Sequence, residues 1–373
     1  MRIAQIIEST SGGSVRCALA LTQGLASKGE EVTFIYSPVR ADSLFEEDLR
    51  NLKKCRKIAF SMQRAVGIHD LWSVVALYRL LKKTGPYDIL HAHSSKAGAL
   101  ARLVGVFFPA MRVIYTPHAF VTMASGASRF YGLIEKVLSF FTDFIIVVSE
   151  GERKHASCDL GISEHRIKVI PNGVSLPFLA TRGEARSRMG YSEKEKVVGF
   201  VGRLSSQKNP TRLVEAFALA AVEHKNLRLA VVGSGSLLEQ LKKKAEIYGV
   251  SERIKIWEGQ DARLFMSGFD VLFCSSDYEG LPLVFIEALQ ASIPIVSTPV
   301  GGTPECVLQG KTGFVAKDFE TGSLAFALKS YLQLDVTACK EMAAAALRQG
   351  DFFTVRRMTA STLDFYRMAV EQS

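Results

Sequence analysis

Val197-Val198-Gly199-Phe200-Val201-Gly202-Arg203-Leu204-Ser205-Ser206-Gln207-Lys208-Asn209-Pro210 is an apolar run that ends on a glycine and passes into a polar loop. A run with no polar break reads as a strand buried on both faces, the habit of parallel sheets. Arg203 and Lys208 then stand just beyond its carboxyl end, the edge of an open α/β sheet where ligands bind. A guanidinium fork and a flexible ammonium can hold one pyrophosphate from two directions. Further on, Glu279-Gly280-Leu281-Pro282-Leu283-Val284-Phe285-Ile286-Glu287-Ala288 adds two carboxylates and a helix start. Pro282 suits the first turn of a helix, where its missing N–H costs nothing, so Glu279 falls in the loop and Glu287 inside the helix. Free N–H groups near Leu283 and Val284 then face an anion.

Outward from these phrases, apolar runs alternate with amphipathic stretches twice over. Strands are expected at 3–7, 32–36, 89–91, 113–115, 144–148 and 168–170, then at 197–201, 229–232, 254–256, 271–273, 295–297 and 314–316. Such alternation predicts parallel sheets with helices on both faces, hence an α/β chain of two Rossmann-like domains. The length of 373 residues agrees, being too great for one ordinary core. Pro171-Asn172-Gly173-Val174 is turn-forming and marks the link. The expected division is 1–173, 174–355 and a last amphipathic helix at 356–373.

Composition narrows the classes. A hydrophobic fraction of 48% against 22% charged residues marks a folded globular protein. The formal charge is +9, roughly +7 of it before Ser175, so the first half is expected to meet an anionic partner. Nucleic acid is not that partner, for no recognition module and no interleaved basic and aromatic patch is present; a membrane surface or polyanionic acceptor fits better. The basic run Lys53-Lys54-Cys55-Arg56-Lys57, with Arg50 and Arg64 nearby, reads as a solvated face or a contact with anionic lipid. Most of the apolar stretch that follows at 71–83 is expected to face the sheet. Six scattered cysteines without disulfide spacing, and an N-terminus that enters a strand directly, lead us to expect a cytoplasmic protein with only peripheral membrane contact.

Taken in order, Ser11-Gly12-Gly13, His91-Ala92-His93-Ser94, Thr116-Pro117-His118, Pro171-Asn172-Gly173-Val174, the Arg203/Lys208 loop, Glu279 with Glu287 and Gly301-Gly302-Thr303-Pro304-Glu305 cover nearly the whole chain. This series resembles family 4 glycosyltransferases, retaining enzymes of the GT-B fold in which two Rossmann-like domains face across a cleft. The wording at 91–98 is most similar to bacterial members that build capsule, exopolysaccharide or O-antigen units, including lipopolysaccharide. The resemblance implies a nucleotide-diphosphate sugar donor, UDP- or GDP-linked, and a glycan or lipid-linked acceptor. It also implies that Arg203 and Lys208 bind the donor pyrophosphate without a metal or other cofactor, that Glu287 accepts from the ribose hydroxyls, and that Glu279 and His118 face the transferred sugar. Gly12, Gly13, Gly202, Gly233, Leu281 and Leu283 complete the expected donor set, Gly12-Gly13 and Gly233 each closing a strand-to-helix turn. His91-x-His93 carries two imidazoles on alternate strand positions without a third ligand, so no metal site is expected there. Two rivals stand beside this reading: a sugar-nucleotide epimerase, which does not need the Glu279/Glu287 spacing, and a non-catalytic sugar-nucleotide-binding subunit, which tolerates loss of Glu279 or His118.

Overall fold

A computed structural model describes residues 1–41, 43–63, 67, 69–124, 129–175 and 179–372; Arg64 lies outside them. The chain divides into two compact units, Met1–Val174 with Thr354–Ser373, and Ser175–Phe353. The first crossing falls one residue later, and the second two residues earlier, than the sequence reading puts them.

In the first unit the order is β1 (Arg2–Ile7), α1 (Gly13–Ser27), β2 (Glu31–Tyr36), α2 (Ser43–Asn51), β3 (Cys55–Ala59), α3 (His69–Thr84), β4 (Ile89–His93), α4 (Ser95–Gly105), β5 (Arg112–Thr116), α5 (Arg129–Ser139), β6 (Phe144–Val147), α6 (Glu150–Lys154) and β7 (Ile167–Val169). These strands form one parallel sheet in the order β3-β2-β1-β4-β5-β6-β7. Successive strand residues face opposite sides. Ile3, Ile89, Ile114 and Ile146 therefore pack with Leu21 and Leu25 of α1, while Ala4, Ile6, Leu90 and Ala92 pack with Leu77 and Leu81 of α3 and with Leu100 and Val104 of α4.

One strand departs from the sequence reading. The basic run Cys55-Arg56-Lys57-Ile58-Ala59 is β3, paired with β2 alone. Arg56 and Lys57 are exposed on this edge strand, where charge blocks further strand addition. The stretch at 71–83 also differs, since Leu71, Trp72 and Val75 of α3 are exposed.

The second unit runs α7 (Arg182–Met189), β8 (Lys196–Val201), α8 (Pro210–Ala221), β9 (Leu227–Val232), α9 (Leu238–Ile247), β10 (Ile254–Trp257), β11 (Val271–Cys274), α10 (Leu283–Gln290), β12 (Ile295–Ser297), α11 (Thr303–Cys306), β13 (Gly313–Val315), α12 (Thr321–Leu332) and α13 (Val336–Gly350). Its parallel sheet has the order β10-β9-β8-β11-β12-β13. Phe217 of α8, Leu241 of α9 and Leu324, Leu328 and Tyr331 of α12 fill one face of it against Val198, Phe200, Leu229 and Phe273.

The last helix, α14 (Val355–Glu371), belongs to the first unit and packs on α1. Thr354 caps it by accepting from the Arg357 N–H, and bridges Val174. Met358, Leu363, Phe365 and Tyr366 are buried there. Each such side chain contributes roughly 1.5–3 kcal/mol before the entropy of ordering the helix is subtracted.

Candidate functional site

Each sheet reverses its strand order once, between β1 and β4 and between β8 and β11. At such a point the loops at the carboxyl ends of the strands diverge and leave a crevice.

At the second sheet's reversal, the loops after β8 and β11 are tied together by side chains and backbone. Lys208 Nζ meets Glu279 Oε1 at 2.5 Å. Gln207 Nε2 donates to the Tyr278 carbonyl at 3.1 Å and to Glu279 Oε2 at 3.4 Å, and the Asp277 N–H donates to the Gln207 carbonyl at 2.8 Å. Behind this pair Arg212 binds Asp277 at 2.6 Å. Asn209, with φ 46°, caps α8 by accepting from the Arg212 N–H. Burial opposes the charge on Lys208, but the Glu279 carboxylate outweighs it, so the ammonium holds its proton more tightly than an ordinary lysine; Arg203 pulls weakly the other way. Arg203 itself is exposed in the same loop.

Two further loops complete the edge. After β9, the Leu204 N–H donates to the Ser234 carbonyl at 2.8 Å and the Gly202 N–H to the Val232 carbonyl at 3.1 Å. A Cβ at Gly233 would collide with the Gly202 carbonyl, so this position tolerates only glycine. After β12, a Cβ at Gly301 would likewise collide with the Glu279 carbonyl. Pro282 is the N-cap of α10, one position before the expected first turn, and makes no side-chain cap; the helix has no acidic residue in its first turn. Its leading N–H groups therefore favour an anion. Leu281, Leu283 and Glu287 are buried, Glu287 within the helix. Gly202, Gly233, Lys208, Glu279, Leu281, Leu283 and Glu287 thus belong to one unit and one sheet edge, with Arg203 at its surface.

Gly12, Gly13 and His118 belong to the first unit. Gly12, with φ 88°, is the exposed N-cap of α1, and Gly13 its first residue. In register, Ile7 pairs with His93 and His93 with Thr116, which places the His118 loop beside β4. His91 contacts the Tyr366 hydroxyl through Nδ1 at 2.5 Å and Thr116 Oγ1 through Nε2 at 2.8 Å. His93 Nδ1 lies 3.1 Å from His118 Nε2, and the rings stack with centroids 5.3 Å apart. Burial drives all three imidazoles toward neutrality, His91 to about 3, His118 to about 4 and His93 well below its ordinary value.

A neutral imidazole has one donor and one acceptor nitrogen. Whichever way the His93–His118 bond points, the outer nitrogens, His93 Nε2 and His118 Nδ1, are one donor and one acceptor. Both are buried without a hydrogen-bond partner. The pair therefore carries one unfilled donor position and one unfilled acceptor position, on different rings.

The loop carrying His118 is held in an uncommon conformation, with φ 55° at His118 and 89° at Ala119. Buried Glu152 holds it, accepting from the Ala119 N–H through Oε1 and from the Val148 N–H through Oε2 at 2.9 Å. Sequence reading singled out His118 but not Glu152, Gln207 or the Arg212–Asp277 pair, each of which meets a partner 33 to 71 residues away. His93 carried a signal: two histidines on alternate strand positions share one face, the face on which the next strand's loop arrives. Among the described residues no group of three His, Cys, Asp or Glu side chains is arranged to hold a metal, and no helix is long and apolar enough to cross a membrane.

Residues 11–177 match the family described as Glycosyltransferase Family 4, and residues 181–349 that described as Glycosyl transferases group 1. The chain is 29% identical over 274 residues to the Escherichia coli UDP-Gal:alpha-D-GlcNAc-diphosphoundecaprenol alpha-1,3-galactosyltransferase, covering 70% of this chain and 68% of that protein. It is 30% identical over 245 residues to the Escherichia coli O-antigen biosynthesis glycosyltransferase WbnH, covering 65% and 68%. Anabaena Alr3699/HepE, solved in complex with UDP and glucose, superposes with a TM-score of 0.84 at 20% identity, covering 99% of this chain and all of that one.

Proposed function

The chain belongs to the family 4 glycosyltransferases, a GT-B family in which one relative is named for O-antigen biosynthesis and another for galactosyl transfer to a diphosphoundecaprenol-linked sugar, and on that premise we propose that it moves a sugar from a nucleoside diphosphate donor to a lipid-linked glycan, with retention and without a metal. The observation that carries the donor half is the Lys208–Glu279 pair set across the sheet reversal beside Arg203 and the uncapped start of α10. Two cations and helix N–H groups neutralise the leaving diphosphate, the work a divalent ion does in other transferases. In the donor complex Lys208 exchanges Glu279 for a phosphate oxygen, which frees the carboxylate for the sugar hydroxyls, while Glu287 receives the ribose. UDP is the favoured base, since a UDP-sugar donor is named for the galactosyltransferase relative and UDP is bound in the Anabaena protein. The acceptor class is drawn from the same relative's name.

The step we favour is front-face transfer. The bond from the anomeric carbon to the phosphate oxygen breaks as the bond to the acceptor oxygen forms on the same face, and the acceptor proton passes to the departing phosphate. His118 and His93 offer their donor–acceptor pair to a sugar hydroxyl. Purified protein should bind UDP-sugars in preference to GDP-, ADP- and dTDP-sugars, transfer in excess EDTA, and give a product with the donor's anomeric configuration by NMR. An inverted product would end the retaining reading, and activity lost to EDTA and restored by manganese would end the metal-free one.

A further inference from the structure

Helix α5 is built inside out. Its inner positions include Glu135, which binds fully buried Arg102 at 2.8 Å, together with Leu138 and Ser139. Its outer stripe is Phe130, Leu133 and Val137, spaced i, i+3 and i+7, and Phe140 and Phe141 follow just past its end; all five are exposed, as is Tyr131 in the first turn. Phe130 is 64% exposed and Phe140 75%. An apolar stripe at helical spacing normally faces the core; here the Arg102–Glu135 pair holds the polar side inward and the apolar side out. The neighbouring helices continue the feature. Val106 and Phe107 at the end of α4 are exposed, Phe107 touches Tyr78 of α3, and Trp72 of α3 is 74% exposed.

The charge on this face has one sign. Lys136 lies within the α5 stripe, and Arg79, Lys82 and Lys83 are exposed on α3. The only carboxylates in the three helices are Asp70, taken by Lys96, and buried Glu135. Contiguous apolar surface rimmed by lysine and arginine, with Trp and Tyr among it, is the composition that settles at a lipid headgroup layer.

We propose that the outer face of α3, the end of α4 and α5 docks on an anionic lipid bilayer, with α5 lying in the interface and the aromatic side chains inserted. The inference deepens the proposal of a lipid-linked acceptor and rests on it for the chemistry of the partner. It also moves the membrane contact away from the basic run of β3, which is explained as edge protection.

The test uses the full chain. In a Trp257→Phe background, Trp72 is the sole tryptophan; vesicles of brominated phosphatidylcholine and phosphatidylglycerol should quench it and shift its emission to the blue. Phe130→Gln/Phe140→Gln/Phe141→Gln should lower co-sedimentation with such vesicles about tenfold or more. Arg79→Gln/Lys82→Gln/Lys83→Gln/Lys136→Gln should remove the preference for phosphatidylglycerol over phosphatidylcholine alone, and Lys53→Gln/Lys54→Gln/Arg56→Gln/Lys57→Gln should change neither. Unquenched Trp72, or unchanged sedimentation of the triple Phe variant, overturns the proposal. So does light scattering that finds the wild type dimeric and the triple variant monomeric, which assigns the face to a second copy of the chain. Transfer to a water-soluble acceptor should persist in the triple variant; its loss in Lys208→Ala alone would bear on the donor site and leave the docking face standing.

Discussion

The two reversal points of this chain share a topology and differ in their electrostatics. At the second sheet's edge the side chains are charged and paired: Lys208 with Glu279, Arg212 with Asp277, and Arg203 at the surface. At the first sheet's edge they are neutral, three adjoining histidines with Thr116 and Tyr366. The scaffold supplies a crevice in both, and the residues beyond each strand decide what it can hold. Cationic side chains suit a diphosphate. Fixed neutral donors and acceptors suit hydroxyls, which a charged cluster would surround with water.

The sharpest way to break the contrast is at the charged edge. Lys208→Ala should lower kcat about 100-fold or more at saturating donor, a loss on the order of 3 kcal/mol in the transition state. Arg203→Ala, at an exposed position, should lower it without a matching fall in melting temperature. Steady-state rates near wild type in both variants would remove the diphosphate from that edge.

At the neutral edge the expected loss is smaller. His118→Ala removes hydrogen bonds and no formal charge, and should cost about tenfold in kcat with donor affinity largely kept. His93→Asn offers a hydrogen-bonding side chain in place of the imidazole and should recover more of the activity than His93→Leu. Equal rates in the two would show that His93 only fills space.

The smallest effect separates the edges by pH. His91 and His118 have folded pKa values near 3 and 4, below the ordinary 6.5, so between 6.5 and about 4 the unfolded chain binds protons that the folded chain refuses. Their stabilising contribution is complete above pH 6.5 and declines as pH falls through that window. Urea midpoints should drop between pH 6.5 and 4.5 in the wild type, and drop less in His91→Gln/His118→Gln. A parallel decline in both proteins would mean that the histidines are not the groups responsible.

Much of this was legible along the chain. Buried parallel strands announce themselves as apolar runs, and all but one were found that way. β3 was not, because Cys55-Arg56-Lys57-Ile58-Ala59 carries the charges that an edge tolerates and only pairing with β2 makes it a strand. The order of Arg203, Lys208, Glu279 and Glu287 pointed to a phosphate-binding loop and a helix start, because two cations just beyond a strand end were followed by a loop carboxylate, a proline suited to a helix start and a carboxylate within the helix.

What the sequence by itself determined is therefore the alternation, the two-unit α/β class and the positions of the loops beyond the strands, all consequences of local periodicity. Partnership was decided only in three dimensions. That Lys208 meets Glu279, that His93 meets His118, that Glu152 fixes the His118 loop and that Arg102 turns the apolar side of α5 outward all join residues 25 to 71 positions apart. Such pairs obey no sequence period. They form because the sheet register brings those residues together, and because a buried charge or imidazole must find a partner or remain neutral.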